Sequence, residues 1–332
     1  MNTQNSTIDD ESIYNIILSA YPNKKTADNY VARLKTIKQV CHVESIYDVI
    51  SNPQKCYAFI RSKYPNINTR KNVITVLLVI FKHSTLLSKR LQKEQIEWKK
   101  FHDMMNSLQE AKYKKSLPDP HQLAKYTTSD EMFDLYKKIK SSDNPHKTLT
   151  DSQRFLILSM AVHMTPKRAD LHTMKIYYEK DPNISDANYL VLRRNASIPS
   201  YMVFNVYKTA KQYKRVDDTL PYEFYKDVMD SLRIHPRDYL FINIYKKPFG
   251  NNNAFTKFVI RTFEHLFGRR TGVTMLRHIF ITEKVDMNES EEYLEEISQK
   301  MMHSKELQRK YNWSKKAICE RMQAICGIEK TT

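Results

Sequence analysis

Five separated residues in the C-terminal two-thirds of the chain have side chains suited to moving a phosphodiester from DNA to a protein hydroxyl. Two arginines, a lysine and a histidine can hold a phosphate and transfer protons, and a tyrosine can act as the nucleophile. Such a transfer needs neither metal nor ATP. In order along the chain these residues are Arg168, Lys208, Arg277, His303 and Tyr311.

Each arginine follows a segment that predicts the start of a helix. In Thr165-Pro-Lys-Arg168, threonine is a good N-cap and proline a good first helical residue, which predicts Arg168 in the first turn. Thr274 can cap a helix that places Arg277 three residues in. Free backbone N–H groups and the positive helix end would then favour a phosphate beside both guanidinium groups. The competing interpretation of Arg168 is an ion pair with Asp170.

Tyr311 is one of 21 tyrosines, so its context has to single it out. A phenol, with a pKa near 10, is a weak nucleophile at neutral pH and needs nearby cations to ionise. In one continuous helix, His303 and Tyr311 would lie about 12 Å apart along the axis, too far apart to reach one phosphate. We therefore predict a break after His303-Ser304 and a new helix that carries Tyr311. The alternative is an amphipathic helix with an ordinary tyrosine.

The order and context of these residues resemble the tyrosine recombinases, the phage-type integrase family, over roughly residues 125 to 315. Thr165–Leu171, Val206–Thr209, Thr274–Ile279 and Lys300–Tyr311 carry the resemblance, and the last looks like the family's Gly-His-Ser segment leading to its nucleophile.

The resemblance implies a role for each candidate residue. Arg168, Arg277 and His303 would hold and neutralise the scissile phosphate. Tyr311 would form a 3′-phosphotyrosyl link, and Lys208 would protonate the departing 5′-hydroxyl. Lys211 and Lys214 compete with Lys208 for that role.

The resemblance also implies partners and setting. It implies that the reaction uses no cofactor and no metal. It also implies that two domains clamp double-stranded DNA, that a homotetramer assembles on two synapsed duplexes, and that the chain comes from a virus or mobile element. The expected location is intracellular, with DNA, in the cytoplasm, the nucleus or a viral compartment.

Two departures from the family pattern concern the acid and base chemistry. Thr274 stands where the family usually has a histidine, and Met302 stands where a glycine commonly precedes His303. Thr274 and His278 are therefore accessory candidates, although side chains one residue apart on a helix, such as Arg277 and His278, do not share a direction. The identity of the general base stays open between solvent, His278 and His303.

Composition agrees with a polyanion as partner and disfavours other chemistries. The 332 residues carry a formal charge of +17, which favours nucleic acid over a neutral ligand. Only four glycines occur, and no Gly-rich phosphate loop, so ATP- or dinucleotide-driven chemistry is disfavoured. Cys41, Cys56, Cys319 and Cys326 lack metal-finger spacing and are typical of reduced thiols, mostly in the core. The polar N-terminus predicts no signal peptide, and no apolar run reaches the ~18 residues of a membrane span.

The elements form two predicted domains, with a mainly α-helical fold and a small antiparallel β-sheet. Residues 1–115 predict a helical core-binding domain of the SAM-like type, in which Thr26 can cap one helix and the Val/Ile-rich run 73–81 favours a buried helix over a strand. Residues 116–125, with two prolines in Ser116–Pro120, predict a linker. Residues 126–332 would be the catalytic domain. Its predicted strands are 188–193 and 201–207, with a possible third at 215–220.

Three other functions fit the same residues. A type IB topoisomerase would relax supercoils with nearly the same side chains. A DNA-binding protein with a decayed active site is compatible with the missing histidine at Thr274. A helical architectural or replication protein would leave the five residues scattered in space.

Overall fold

The computed structural model describes residues 8–114, 117–142, 144–195 and 197–326, with the backbone alone described at 323–326. The chain divides into two compact units, Met1–Lys115 and Ser116–Thr332. Helices predominate beside one small sheet, which confirms the predicted fold class. The DNA-binding and catalytic roles assigned to residues 1–115 and 126–332 stay predictions.

The first unit is built from helices alone within residues 8–114. They are α1 (Asp10–Ala20), α2 (Lys24–Cys41), α3 (Ile46–Ser51), α4 (Pro53–Lys63), α5 (Ile67–His83), α6 (Thr85–Arg90) and α7 (Gln92–Lys114). The Val/Ile-rich run lies in α5 and is buried, as its helical neighbours predict. Asn23 and not Thr26 caps α2, because the Asn23 side chain accepts a hydrogen bond from the Thr26 N–H.

The core of the first unit lies between α5 and its neighbours. Trp98 of α7 is fully buried, and its indole N–H donates to the Ile50 carbonyl at 3.1 Å. Cys41 and Cys56 are buried free thiols, as predicted for core filler, whereas Cys319 in the second unit is exposed. The side chain of Cys326 lies outside the described residues.

The second unit combines helices with a small sheet. In chain order its elements are α8 (Pro120–Leu123), α9 (Ser129–Lys140), α10 (Leu149–His163), a 3₁₀ turn (Ala169–Leu171), β1 (Lys175–Tyr178), β2 (Tyr189–Leu192), β3 (Tyr201–Phe204), α11 (Ala210–Tyr213), β4 (Val216–Thr219), α12 (Tyr222–Ile234), α13 (Asn252–Phe267), α14 (Val273–Lys284), α15 (Glu291–Lys300), α16 (Lys305–Tyr311) and α17 (Lys315–Cys326). Asp119 caps α8, and Leu123 packs into the core of this unit, so part of the predicted linker 116–125 is structured. Ser116 lies outside the described residues.

The sheet has the order β1-β2-β3-β4 and is mixed. The pairs β2–β3 and β3–β4 are antiparallel, as predicted, whereas β1 pairs parallel to β2 and was not predicted. Because side chains alternate along a strand, Leu190 and Phe204 face the main core of the unit, and Val191 and Val203 face a separate small cluster.

The predicted helix start at Arg168 is wrong, whereas the predicted helix that carries Arg277 is present and only its predicted cap is wrong. No helix forms from Thr165 to Arg168, and Arg168, whose backbone is extended, directly precedes the 3₁₀ turn. The residue before a proline is disfavoured in the helical region, which agrees with the absence of a helix at Thr165. Gly272 precedes α14, so Thr274 is a residue of the first turn and not its cap.

Two further properties concern metals and membranes. No group of three or more histidine, cysteine or carboxylate side chains in the described part of the chain is arranged to hold a metal ion. Among the same residues, no helix combines the length and the apolar character needed to span a membrane.

Candidate active site

Arg277 lies at the centre of the candidate site and is only 2% exposed. It projects from α14, and its Nη2 donates to the Met301 carbonyl at 2.8 Å and to His303 Nδ1 at 2.6 Å. Burial lowers the pKa of Arg277 to about 10, so the guanidinium is still charged at neutral pH. Its Nε is buried and has no hydrogen-bond partner in the described structure.

His303 follows α15 in the turn that separates it from α16, and it is fully buried. Arginine can only donate, so His303 Nδ1 must accept from Arg277 and the ring hydrogen lies on Nε2. Burial, with the charges of Arg277 and Arg168, lowers the pKa of His303 to about 3. The ring is therefore neutral at pH 7. Its Nε2 is buried and, among the described residues, unpartnered.

Met302 explains how the turn is built. It adopts a φ of 54°, in the left-handed region that glycine tolerates best, and the resemblance implies a glycine at this position. Its side chain is fully buried in the main core of the unit. Apolar burial therefore offsets the backbone strain, about 1 kcal/mol, that a side chain at this φ costs.

Arg168 lies in the extended segment between α10 and the 3₁₀ turn. Beside the larger effect of burial, the charge of Arg168 lowers the pKa of both Arg277 and His303. The three side chains are therefore close enough to interact electrostatically. The alternative pairing with Asp170 leaves atoms unused, because Arg168 Nη1 and Asp170 Oδ2 are both buried without a hydrogen-bond partner in the residues described. Burial raises the pKa of Asp170, and the Arg168 charge opposes that rise.

Tyr311 is the last residue of α16, and α16 begins after Ser304, which confirms the predicted break. Its ring stacks on His303 with centroids 5.5 Å apart, and the Arg277 Cζ lies 5.3 Å from the same ring. The break thus brings into contact two side chains that a continuous helix would hold about 12 Å apart.

His278 also contacts Tyr311, although it is adjacent to Arg277 on α14. Its Nδ1 donates to the Tyr311 carbonyl at 2.9 Å, and its ring stacks on Trp313 at 4.0 Å. Burial lowers the pKa of His278 to about 4. Neighbouring side chains of a helix point in different directions, and Arg277 and His278 both touch Tyr311 because α14 passes it closely. The hydrogen bond gives His278 a role in holding the end of α16.

Thr274 and Lys208 are not drawn into this cluster. Thr274 is exposed on the first turn of α14. Lys208 is exposed in the turn after β3, and it forms no hydrogen bond or ion pair within the described part of the chain. Lys211, in the short helix α11, and Lys214, directly after it, are exposed as well.

Two buried residues beside the site were missed by sequence reasoning. The Lys167 side chain is 1% exposed and pairs with Asp218 at 2.8 Å. Gln308 of α16 is 1% exposed, and neither of its side-chain amide atoms has a hydrogen-bond partner in the part of the chain described. A lysine and a glutamine in polar, lysine-rich segments look like surface residues, so the sequence holds no signal for either.

Comparison with known proteins gives structural likenesses only. No protein-family model matches the chain, and no curated protein matches it. The crystal structure of XerA recombinase is 14% identical over 96% of this chain and 99% of its own, with a TM-score of 0.39. The structure of XerH site-specific recombinase bound to difH substrate, a pre-cleavage complex, is 13% identical over 96% of this chain and 95% of its own, with a TM-score of 0.48. Because both TM-scores are below 0.5, the functional proposal rests on the geometry of the site.

The arrangement is suited to binding an anion. Three hydrogen-bonding nitrogens are buried without protein acceptors among the described residues, namely Arg168 Nη1, Arg277 Nε and His303 Nε2. Unpaired buried donors are uncommon because each costs about 1–3 kcal/mol. A phosphate oxygen would satisfy them, and the ring of Tyr311 lies against two of the three side chains.

Proposed function

We propose that this chain is a site-specific DNA recombinase that cuts and rejoins double-stranded DNA through a 3′-phosphotyrosyl intermediate at Tyr311. The observation that carries the proposal is the coincidence of buried donors without partners and a tyrosine ring in contact with them. Arg168 and Arg277 would hold the non-bridging oxygens of the scissile phosphate. Arg277 would do so through Nε, because both hydrogens of its Nη2 already donate to Met301 and His303.

His303 contributes a neutral hydrogen bond in this proposal. With Nδ1 occupied by Arg277, its Nε2–H is the group available to a phosphate oxygen. Charge stabilisation of the pentacoordinate transition state then comes from the two arginines, and His303 adds a fixed donor. The ring is also held beside the phenol that must react, which favours a productive approach.

The chemical step exchanges one phosphoester bond for another. The Tyr311 oxygen attacks phosphorus, the bond to the 5′-oxygen breaks, and that oxygen takes a proton from Lys208. The phenol loses its own proton to solvent, because the exposed Thr274 offers no base and His303 Nδ1 is already engaged. Attack by a 5′-hydroxyl on the phosphotyrosine reverses the step and restores the tyrosine.

The proposed partners follow from the chemistry and the charge. A formal charge of +17 favours contact with a DNA backbone. Exchange of strands between two duplexes requires cleavage at four positions, so we propose a homotetramer on paired DNA. The helical first unit would add phosphate contacts on the same DNA.

Covalent trapping tests the proposal. Nicked duplexes of random sequence, together with nicked DNA flanking the gene, are incubated with the full chain, denatured, and recovered through the protein. A nick beside the cleavage point lets the short 5′-hydroxyl fragment diffuse away, so the adduct accumulates and its DNA can be sequenced. Wild-type protein should form the adduct, and Tyr311→Phe should bind DNA but form none. Tyr245→Phe, at a tyrosine that is 77% exposed and far along the chain from the cluster, is the matched control and should react normally.

The other outcomes identify competing functions. Adducts with Tyr311→Phe would assign the nucleophile elsewhere. DNA binding by wild-type protein without any adduct would indicate a decayed active site. Relaxation of supercoiled plasmid without strand exchange between two duplexes would indicate a type IB topoisomerase.

A further inference from the structure

The turn that carries His303 is held by side chains through four successive carbonyl groups. The Lys300 carbonyl accepts from Lys167 Nζ at 2.5 Å, that of Met301 from Arg277 Nη2 at 2.8 Å, that of Met302 from Thr209 Oγ1 at 3.0 Å, and that of His303 from the Tyr213 hydroxyl at 3.1 Å. The carbonyls that end a helix have no partners inside it. Here they are satisfied from the Arg168 segment, from α14 and from the loop that contains Lys208.

Lys167 is the donor with the most unusual surroundings. Its side chain is 1% exposed, and its ammonium pairs with Asp218 of β4 at 2.8 Å while also donating to Lys300. The next residue, Arg168, has an extended backbone, with φ −71° and ψ −177°. Lys167 fixes the segment to β4 and α15, and Arg168 lies within electrostatic reach of Arg277 and His303.

Stability alone does not account for this pair. Replacing a buried ion pair by apolar side chains of similar volume is often neutral or stabilising, because desolvation of two charges costs more than an apolar contact. The pair instead fixes the position of the Lys167 ammonium, because that group has to reach Asp218 and the Lys300 carbonyl at the same time. The segment with Arg168 and the turn with His303 are thereby fixed to each other.

We infer that Lys167 is a positioning residue, whose contacts with Asp218 and Lys300 set Arg168 against His303 for an anion that both bind. The inference deepens the proposed function and rests on it in one respect, namely that the anion is a phosphate group. Lys167 does not touch the anion and acts only through Arg168 and the turn.

The experiment compares the full chain with the double variant Lys167→Met/Asp218→Leu, which removes both charges and leaves no buried charge unpaired. Two measurements use histidines labelled at ¹³Cε1, with the His303 signal assigned by its absence from His303→Gln. The first is the pH titration of the His303 ring without ligand, and the second is its shift with added inorganic phosphate. A urea titration of each protein reports whether the fold is retained.

The expected result is a change at the site without a loss of stability. The double variant should unfold at a urea concentration equal to or above that of wild type. Its turn, no longer held at Lys300, should admit water, so the His303 pKa should rise toward its ordinary range. Its dissociation constant for phosphate should increase about tenfold, which corresponds to about 1.4 kcal/mol.

A matched variant separates the hydrogen bond from the charge. Asp218→Asn leaves an amine at Lys167 that can still donate to the Lys300 carbonyl, so its His303 titration should stay close to that of wild type. If the double variant titrates at His303 and binds phosphate as wild type does, Lys167 has no positioning role. If wild type binds no phosphate at His303, the proposed function loses its anion site. The ligand-free titration then still decides whether Lys167 positions the turn.

Discussion

Acidification from pH 6 to pH 5 should destabilise the second unit, because His278 and His303 are buried as neutral rings. Burial lowers the pKa of His278 to about 4, and burial with the nearby arginine charges lowers that of His303 to about 3. In the unfolded chain both rings titrate at about 6.5. The unfolded state therefore takes up protons first as the pH falls. The stability associated with each neutral ring is complete above about pH 6.5 and is lost as the pH falls below it.

The size of the effect follows from the same values. A proton bound only by the unfolded state lowers the free energy of unfolding by about 1.4 kcal/mol per pH unit. At pH 6 the unfolded rings are only partly protonated, so the slope is below its full value, and we expect about 1 kcal/mol for each histidine and about 2 kcal/mol for the pair between pH 6 and pH 5. His146 and His163, whose pKa values burial also lowers, act in the same direction.

Carboxylates contribute little in this window. The pKa values of Glu131 and Glu223 are held below the ordinary 4.5, in Glu131 by Arg269 against the effect of burial and in Glu223 by Lys140, so their stabilisation is lost only at lower pH. Asp170 acts in the opposite sense, because burial raises its pKa and protonation favours its folded form. The part of the loss that disappears in a histidine variant therefore measures the contribution of that histidine.

The assay is urea unfolding read separately for each unit. The chain has two tryptophans, Trp98 in the first unit and Trp313 in the second. Labelling with 5-fluorotryptophan gives one ¹⁹F signal for each, so Trp313 reports the second unit without a truncation. The His278→Gln and His303→Gln variants should each reduce the pH-dependent loss by about 1 kcal/mol. His265→Gln, at an exposed position on α13, is the control and should leave the loss unchanged.

The reasoning would be refuted by a second unit that is equally stable at pH 6 and pH 5. It would also be refuted if both glutamine variants retained the full loss of stability, because the protons would then bind elsewhere. A smaller loss in one variant alone would show which ring is neutral in the folded chain.

Three further predictions use other parts of the chain. Replacing Gln308 by leucine should stabilise the second unit by about 1–2 kcal/mol, because it removes buried amide atoms that lack partners within the described residues. Urea unfolding read from the Trp313 signal measures the change. No increase in stability would show that those amide atoms are hydrogen-bonded. Affinity for duplex DNA should fall steeply with salt concentration. Replacing the exposed Lys25 and Lys35 of α2 by glutamine should reduce the slope of log affinity against log salt by about two. An unchanged slope would show that these two lysines do not contact DNA. Under the proposed function, cleavage by wild type should accelerate as the pH rises, because the Tyr311 phenol would lose its proton to solvent, and Thr274→His should raise the rate near pH 7. A rate already high at pH 7 and unaffected by Thr274→His would assign the proton to another group.

The sequence predicts some features because a length or a period fixes them. The break between His303 and Tyr311 follows from the rise of a helix and the reach of one phosphate, and it is present. The strands β2 and β3 follow from two short runs of strand-forming residues with a turn between them. The buried α5 follows from its length beside helical neighbours.

Other features depend on partners that are distant in sequence. The segment before Arg168 has the cap and proline of a helix start, but Lys167 reaches Asp218 and Lys300, and its buried contacts accompany an extended backbone. The short strand β1 has one fully buried residue, Ile176, and it exists through parallel pairing with β2, which a four-residue pattern cannot specify. Local propensity is a weak guide wherever such tertiary contacts compete with it.

The neutral form of His303 follows from its burial and from the contact with Arg277. Protonated, the ring would carry hydrogens on both nitrogens, and Nδ1 would face the Arg277 donor 2.6 Å away without a lone pair to accept it. The two residues therefore act as one unit, in which the arginine fixes the tautomer and the histidine occupies one of the arginine's donors. Within this unit, Arg277 Nε and His303 Nε2 are buried without an acceptor in the described chain. Under the proposed function, oxygens of a tetrahedral phosphate beside the Tyr311 ring would be those acceptors.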